Sequence, residues 1–300
     1  MSDNLTPETP QWFWDAIETE ADSGFVEVDD IDIHYLAWSG AGNPGLLFVH
    51  GHNAHAHWWD FIAPFFKDDY QTAALDLSGM GDSDHRDSYS TDSYAREIAA
   101  VADELMMPQD TIVVAHSFGG MMALHACATA ADRFKGLVLV DSGVRDPEEQ
   151  KEREKDRQPE RWNQAKIYPD RQTAVSRFRL QPPQQCDNQF IVDHIARHSI
   201  EFLDEDEAGG RPGWGWKFDE EQSSRMERTG DMEADLKSLG IKLALIYGEQ
   251  SESFSARSAE YMKSLQPSLE IHPLANAQHH LFLDQPMAFV EALRDILGRW

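Results

Sequence analysis

The sequence predicts an α/β protein: a mostly parallel sheet of about eight strands, flanked by helices and interrupted by one mostly helical insertion. Three observations carry this. Short, almost wholly apolar runs recur at 46–49, 72–75, 111–115, 136–140 and 241–247, as buried parallel strands do. Stretches with apolar residues at helical spacing lie between them, so strands and helices alternate. His52, Ser117 and Asp141 all fall just past strand ends, where open α/β sheets gather their sites.

The composition bounds the rest. Three hundred residues allow one large domain, or a core domain with an insertion. Hydrophobic residues make up 41%, enough for a sizeable core. No apolar run reaches the length of a membrane-spanning helix. The start, Met1-Ser2-Asp3-Asn4-Leu5, has neither a basic nor an apolar stretch, so no signal peptide is expected. Cys127 and Cys186 are the only cysteines, so no disulfide and a reducing, cytoplasmic setting are expected. Asp+Glu 53 against Lys+Arg 26 gives a formal charge of −27. Such a surface repels nucleic acid and anionic membranes, and counts against both as partners.

Taken in order, Trp12, Phe13, Trp14 and Ile17 predict an N-terminal helix packed on the domain. Residues 25–28 and 31–36 alternate around Asp29-Asp30, a β-hairpin. The strand at 46–49 ends in His50-Gly51-His52-Asn53. A glycine there lets the next N–H turn into a site, which makes the His52 amide a candidate oxyanion donor opposite that of Phe118. Residues 58–66, with Trp58, Trp59, Phe61, Ile62, Phe65 and Phe66, predict a helix. His50, His52, His55 and His57 invite a metal reading, since the spacing resembles the metallo-β-lactamase motif H-x-H-x-D-H. Ala54 stands at the Asp position and the strand order is wrong for that fold. Histidines lining a site mouth are expected instead, with no metal and no cofactor. After the strand at 72–75, Gly79 and Gly81 mark a tight loop whose spacing fits no phosphate-binding motif. Tyr94, Ile98, Val101, Ala102 and Leu105 predict the next helix.

Residues 111–120 hold the central motif. The strand at 111–115 gives way, from Phe118, to a helix carrying Met121, Met122, Leu124 and His125. Ser117 sits between them. Ala115 and Gly119, two positions before and after it, are small enough for a sharp turn: the G-x-S-x-G nucleophile elbow with Ala in first place. The competing reading is a serine that merely caps a helix. Residues 142–236 change character. A charged run at 146–161 precedes apolar patches around Trp162, Ile167, Tyr168, Phe178 and Ile195, and then Gly213-Trp214-Gly215-Trp216. The core is expected over 1–141 and 237–300, with the strand at 241–247, a last strand at 269–274 and a closing helix from Pro286.

Acyl transfer by a serine needs an exposed hydroxyl, an imidazole, a carboxylate to orient it and two oxyanion donors. The order Ser…Asp/Glu…His and this strand pattern resemble the α/β-hydrolase fold family, in its serine-nucleophile branch, over nearly the whole chain. The segments that carry the resemblance are His50-Gly51, the loop at 76–83, Ala115-His116-Ser117-Phe118-Gly119, and His279 with Asp284-Gln285-Pro286. The resemblance implies that 142–236 is a cap over the active site. It also implies that His279, seven positions before Pro286, is the base, with His280 as the alternative. It leaves the acid open, because Ser251 stands where many members carry Asp. Asp141 is favoured, Glu252 is the alternative, and Glu249 is a distant third. Members resembling dehalogenases and epoxide hydrolases use Asp at the elbow, so Ser117 implies acyl chemistry. The expected function is hydrolysis of a small, largely apolar carboxylic ester, in a pocket lined by Trp58, Trp59, Met121 and Trp214. A carbon–carbon bond hydrolase, a lactonase and a non-catalytic ligand-binding protein on the same fold are the alternatives.

Overall fold

Side chains alternate across each strand, and this divides the interior in two. Leu47, Val49, Val113 and Ala115 point into one apolar cluster, with Val101, Leu124 and Met262. Leu46, Phe48, Ile112 and Val114 point into the other, with Phe13, Phe282 and Phe289. The computed structural model describes residues 9–38, 42–130, 132–156, 166–206, 208 and 210–300. Trp162 and the end of the charged run lie outside them.

Among the described residues the central sheet has eight strands. They are β1 Asp22–Glu27, β2 Asp32–Trp38, β3 Gly45–Val49, β4 Gln71–Leu75, β5 Ile112–His116, β6 Gly136–Val140, β7 Lys242–Gly248 and β8 Glu270–Leu274. Their spatial order is β1-β2-β4-β3-β5-β6-β7-β8. β2 pairs antiparallel with β1 and β4, and every other pairing is parallel. β3, β5 and β6 are buried at every residue, which is why they read as unbroken apolar runs. Asp29 and Asp30 turn the β1–β2 hairpin with φ of 55° and 62°, the left-handed pair such a turn requires.

Helices α1 Gln11–Ile17, α2 Thr91–Glu104 and α3 Ser117–Thr129 precede the excursion between β6 and β7. That excursion carries α4 Pro147–Asp156, α5 Arg171–Ser176 and α6 Gln189–His198. α7 Met232–Ser238 leads back to β7, and α8 Ala256–Leu265, α9 Leu281–Asp284 and α10 Pro286–Leu297 complete the core. One sequence expectation needs revising, and two further features bear on the insertion. The helix expected at 58–66 is two short 3-10 segments, Ala56–Trp58 and Ala63–Phe66, because Pro64 has no N–H and its ring clashes with a helical carbonyl. The insertion also contains an antiparallel hairpin, Ile200–Leu203 with Gly213–Trp216. The expected boundary at 236 cuts through α7, which binds the core through Asp235 to His125 and through Glu233 to Tyr261.

The loop after β4 is built around two buried carboxylates. Asp76 accepts from His34 Nδ1 at 2.8 Å, the Ala56 N–H at 2.5 Å and the Asp82 N–H at 2.9 Å. A Cβ on Gly81, whose φ is +65°, would fall 2.2 Å from the Asp76 carboxyl carbon, so only glycine lets the loop close on it. Glu97 accepts from the Ser78 N–H and hydroxyl at 2.9 and 2.6 Å and from Arg86 Nε at 2.9 Å. Burial pushes the Asp76 carboxyl up, but the hydrogen bond and charge of His34 outweigh it and hold the group well below the usual carboxylate range. A depressed carboxyl stabilises the fold above its unfolded pKa, and that contribution is lost as pH falls. Asp76→Asn should therefore cost about 3 kcal/mol at neutral pH. It should also flatten the acid limb of the stability profile, which urea unfolding from about pH 7 down to pH 3 would reveal.

Candidate active site

The end of β5 and the start of α3 meet at Ser117, which adopts φ +51°. That region is uncommon for a residue with a side chain and marks a backbone held by its surroundings. Gly119 makes the hold possible, since a Cβ there would lie 2.1 Å from the His50 carbonyl oxygen. Ser142, just past β6, donates its hydroxyl to the Ser117 carbonyl at 2.5 Å. The turn is thus pinned between the ends of β3 and β6, and Ser117 remains partly exposed.

Ser117 Oγ lies 2.9 Å from His279 Nε2, and His279 Nδ1 lies 2.6 Å from Asp141 Oδ2. A carboxylate only accepts, so the imidazole carries its hydrogen on Nδ1 and turns the Nε2 lone pair toward the serine hydroxyl. Asp141, at φ +47° past β6, is 3% exposed. It also accepts from the Gly248 N–H at 3.0 Å and from the Ser251 hydroxyl at 2.6 Å. Ser251, at the position where many members of the family carry Asp, thus hydrogen-bonds the carboxylate contributed by the neighbouring strand. Glu249 and Glu252 are exposed, and the Glu252 carbonyl is taken by Arg153.

The loop bearing His279 is held from three sides. The Asp284 carboxylate accepts the Gln278 N–H at 2.7 Å and Gln184 Nε2 at 3.0 Å. Gln184 also accepts the His280 N–H at 2.9 Å, and Asn188 donates to the Leu283 carbonyl at 2.7 Å. His116, directly before the serine, uses Nε2 to donate to the His279 carbonyl at 3.0 Å. Burial, reinforced by the neighbouring histidines, holds the His116 and His280 imidazoles well below their ordinary range. The His280 ring packs against Trp58 and His116, and it is the ring of His279 that reaches Ser117.

Of the other predicted site residues, His52 and Phe118 flank the serine with rings 5.4 Å apart. His52 Nε2 is 2.9 Å from Gln222 Oε1, a buried side chain of the insertion that also donates to the Tyr94 hydroxyl at 2.9 Å. Met121 is half-buried against the core. Trp58 is 5% exposed, with its ring 5.2 Å from His280. Trp59 is a correction: it has no accessible surface and stacks on Phe282 at 4.5 Å, so it lines no pocket. Trp214 meets Phe202 edge-to-face and lies under Arg171 on the hairpin of the insertion. The His50–His57 series does not converge. His50 donates to the Gly51 carbonyl and accepts from the Leu77 N–H, His55 meets Ser199, and His57 meets Asp60. Sequence reasoning missed His116, Ser142, Gln184 and Gln222, and took Ser251 only for a gap. Nothing in their spacing marks them, because each acts across 25 or more residues of chain.

The strand–Ser–helix turn, the histidine past β8 and the carboxylate past β6 thus converge at the carboxyl ends of the strands of an α/β sheet. A family model described as the alpha/beta hydrolase family matches residues 46–292, and the chain belongs to that family. It is similar to an uncharacterized hydrolase of Bacillus subtilis, YugF, at 22% identity over 90% of this chain and 96% of the other. It is also similar to the esterase Rv0045c of Mycobacterium tuberculosis, at 27% identity over 88% of this chain and 86% of that protein. The crystal structure of that esterase superimposes with a TM-score of 0.70, covering 98% of this chain and all of the other at 23% identity. Epoxide hydrolase 4 of Mus musculus is 33% identical over 39% of this chain, and the match spans only 34% of its own length.

The packing at Gly119 generates a direct prediction. Gly119→Ala should destabilise the fold by about 3 kcal/mol, because the obstacle is a backbone carbonyl that cannot swing away. Chemical unfolding would measure this, and an unchanged midpoint would remove the close approach from the account.

Proposed function

We propose that this chain is a serine hydrolase that cleaves a small, largely apolar carboxylic ester through an acyl-enzyme. The observation that carries the reading is the unbroken line Ser117 Oγ–His279–Asp141, with contacts of 2.9 and 2.6 Å. In this mechanism His279 Nε2 takes the hydroxyl proton as Ser117 Oγ attacks the ester carbonyl. It then passes that proton to the departing alkoxide. A water, deprotonated by the same nitrogen, releases the acid and restores the serine. Asp141, held by Gly248 and Ser251, keeps the imidazole in one tautomer and stabilises the imidazolium. The N–H groups of His52 and Phe118 are assigned to the oxyanion, each lowering the barrier by about 3 kcal/mol.

Several features support this reading over its neighbours. A serine at the elbow speaks against the epoxide chemistry in the mouse relative's name. The full carboxylate-to-serine line speaks against a non-catalytic binding protein. Lactone and carbon–carbon bond cleavage would use the same residues, and the esterase relative matched over most of both chains favours esters. We assign 142–236 the role of a cap, supported by Gln184, Asn188 and Gln222, which reach from the insertion to the His279 loop and to His52. Trp58 and Met121 are the assigned pocket residues. Buried free thiols at Cys127 and Cys186 fit a reducing, cytoplasmic compartment.

Hydrolysis of short and medium p-nitrophenyl esters tests the reading. Turnover should vanish in Ser117→Ala. It should fall by about 10⁴-fold in Asp141→Asn and remain nearly unchanged in Glu252→Gln. Equal turnover by the wild type and Ser117→Ala would refute the nucleophile, and a large loss in Glu252→Gln would move the acid.

A further inference from the structure

A second cluster of chemistry-bearing side chains lies outside the serine site and shares no residue with it. His57 and Asp60 stand three positions apart in the turn after β3. His194 and His198 stand four positions apart on α6, and so project from one face of that helix. Asp60 accepts from His57 Nδ1 at 2.9 Å and from His194 Nε2 at 2.9 and 3.0 Å. The His198 ring lies against His57, 3.8 Å between centroids with the planes tilted by 31°, and 4.7 Å from His194. One ligand atom from each of the four residues lies within 4.8 Å of all the others.

A hydrogen-bond network alone accounts for only part of this. The carboxylate satisfies one nitrogen of His57 and one of His194. Among the described residues, the His198 ring makes no hydrogen bond to the cluster it faces. Three imidazoles gathered round one carboxylate offer four lone-pair donors, and a single cation would use all of them. In a tetrahedral zinc site with bonds near 2.1 Å, ligand atoms stand about 3.4 Å apart. The spacings here, from 2.9 to at most 4.8 Å, bracket that value. Three nitrogens and one oxygen suit a borderline ion such as zinc(II) and not magnesium or calcium, which take oxygen shells.

We propose that His57, Asp60, His194 and His198 form a structural site for one zinc(II) ion that fastens α6 of the insertion to the core. Four protein ligands close the coordination sphere, the pattern of a structural and not a catalytic zinc. His57 and His194 give up the hydrogens now shared with Asp60. In each neutral ring that hydrogen moves to the other nitrogen, so both lone pairs turn to the metal without net loss of a proton. His57 and His198 are only partly buried, which leaves the ion a way in.

The test is calorimetric titration of zinc chloride into the full chain after chelator treatment and dialysis, with thermal unfolding in parallel. The expected result is one ion per chain and an unfolding midpoint that rises with zinc concentration. His198→Ala and His57→Ala should each weaken binding by about 100-fold or more, whereas His85→Ala, at an exposed histidine elsewhere, should not. His198→Ala removes no hydrogen bond among the described residues, so its fold should persist, and circular dichroism would verify that. Absence of stoichiometric binding, or binding that both ligand variants leave intact, would overturn the proposal.

Discussion

A serine held in left-handed backbone between a buried strand and a helix sets the conditions that the rest of this structure meets. At φ +51°, Ser117 persists only because its neighbours leave no other path. Gly119 packs against the His50 carbonyl, and Ser142 ties down the Ser117 carbonyl from the far side. Those contacts require β3, β5 and β6 to end level with one another. The register does this: Val49 pairs with Ala115, and His116 with Val140. The wholly buried strands beneath are therefore part of the site, since their packing on both faces offsets the local strain.

Around that turn the chain places its interior charges with care, despite a surface of net charge −27. Asp76, Glu97 and Asp141 are each nearly inaccessible, and each accepts three or more hydrogen bonds. A buried carboxylate without such partners would cost several kcal/mol. Asp76 holds His34 and two loop N–H groups, and Glu97 holds Ser78 and Arg86, so both shape the loop after β4. Asp141 directs part of its capacity toward the imidazole that faces Ser117 at the strand–helix turn, whereas the His34 imidazole held by Asp76 meets Ser23 on β1 at 2.9 Å. The same distinction separates the histidines. His50 is saturated by backbone and His55 is engaged with Ser199, while His279 has one side on a carboxylate and the other on a hydroxyl.

The strands were legible because burial on both faces leaves short apolar runs with no polar alternation, as at 46–49 and 136–140. The elbow was legible because its steric demands fall on residues two positions away. The helix expected at 58–66 failed because an apolar period says nothing about Pro64, and the hairpin at Ile200–Leu203 hid behind glycines and acids. The carboxylate was the ambiguous member. Asp141 and Glu252 both follow strands, and only the side-by-side placement of β6 and β7 brings Asp141 onto His279 with Ser251 beneath it. Contacts that span the chain, such as His57 with His198 or His52 with Gln222, leave no mark in local spacing.

The central claim is that Ser117 is activated by His279, and covalent labelling probes that without knowledge of the substrate. The wild type and His279→Ala would be treated with a fluorophosphonate and the adduct located by peptide mass spectrometry. The account predicts a single adduct on Ser117 in the wild type and little or none in the variant. An unlabelled wild type, or an adduct on another residue, would contradict it.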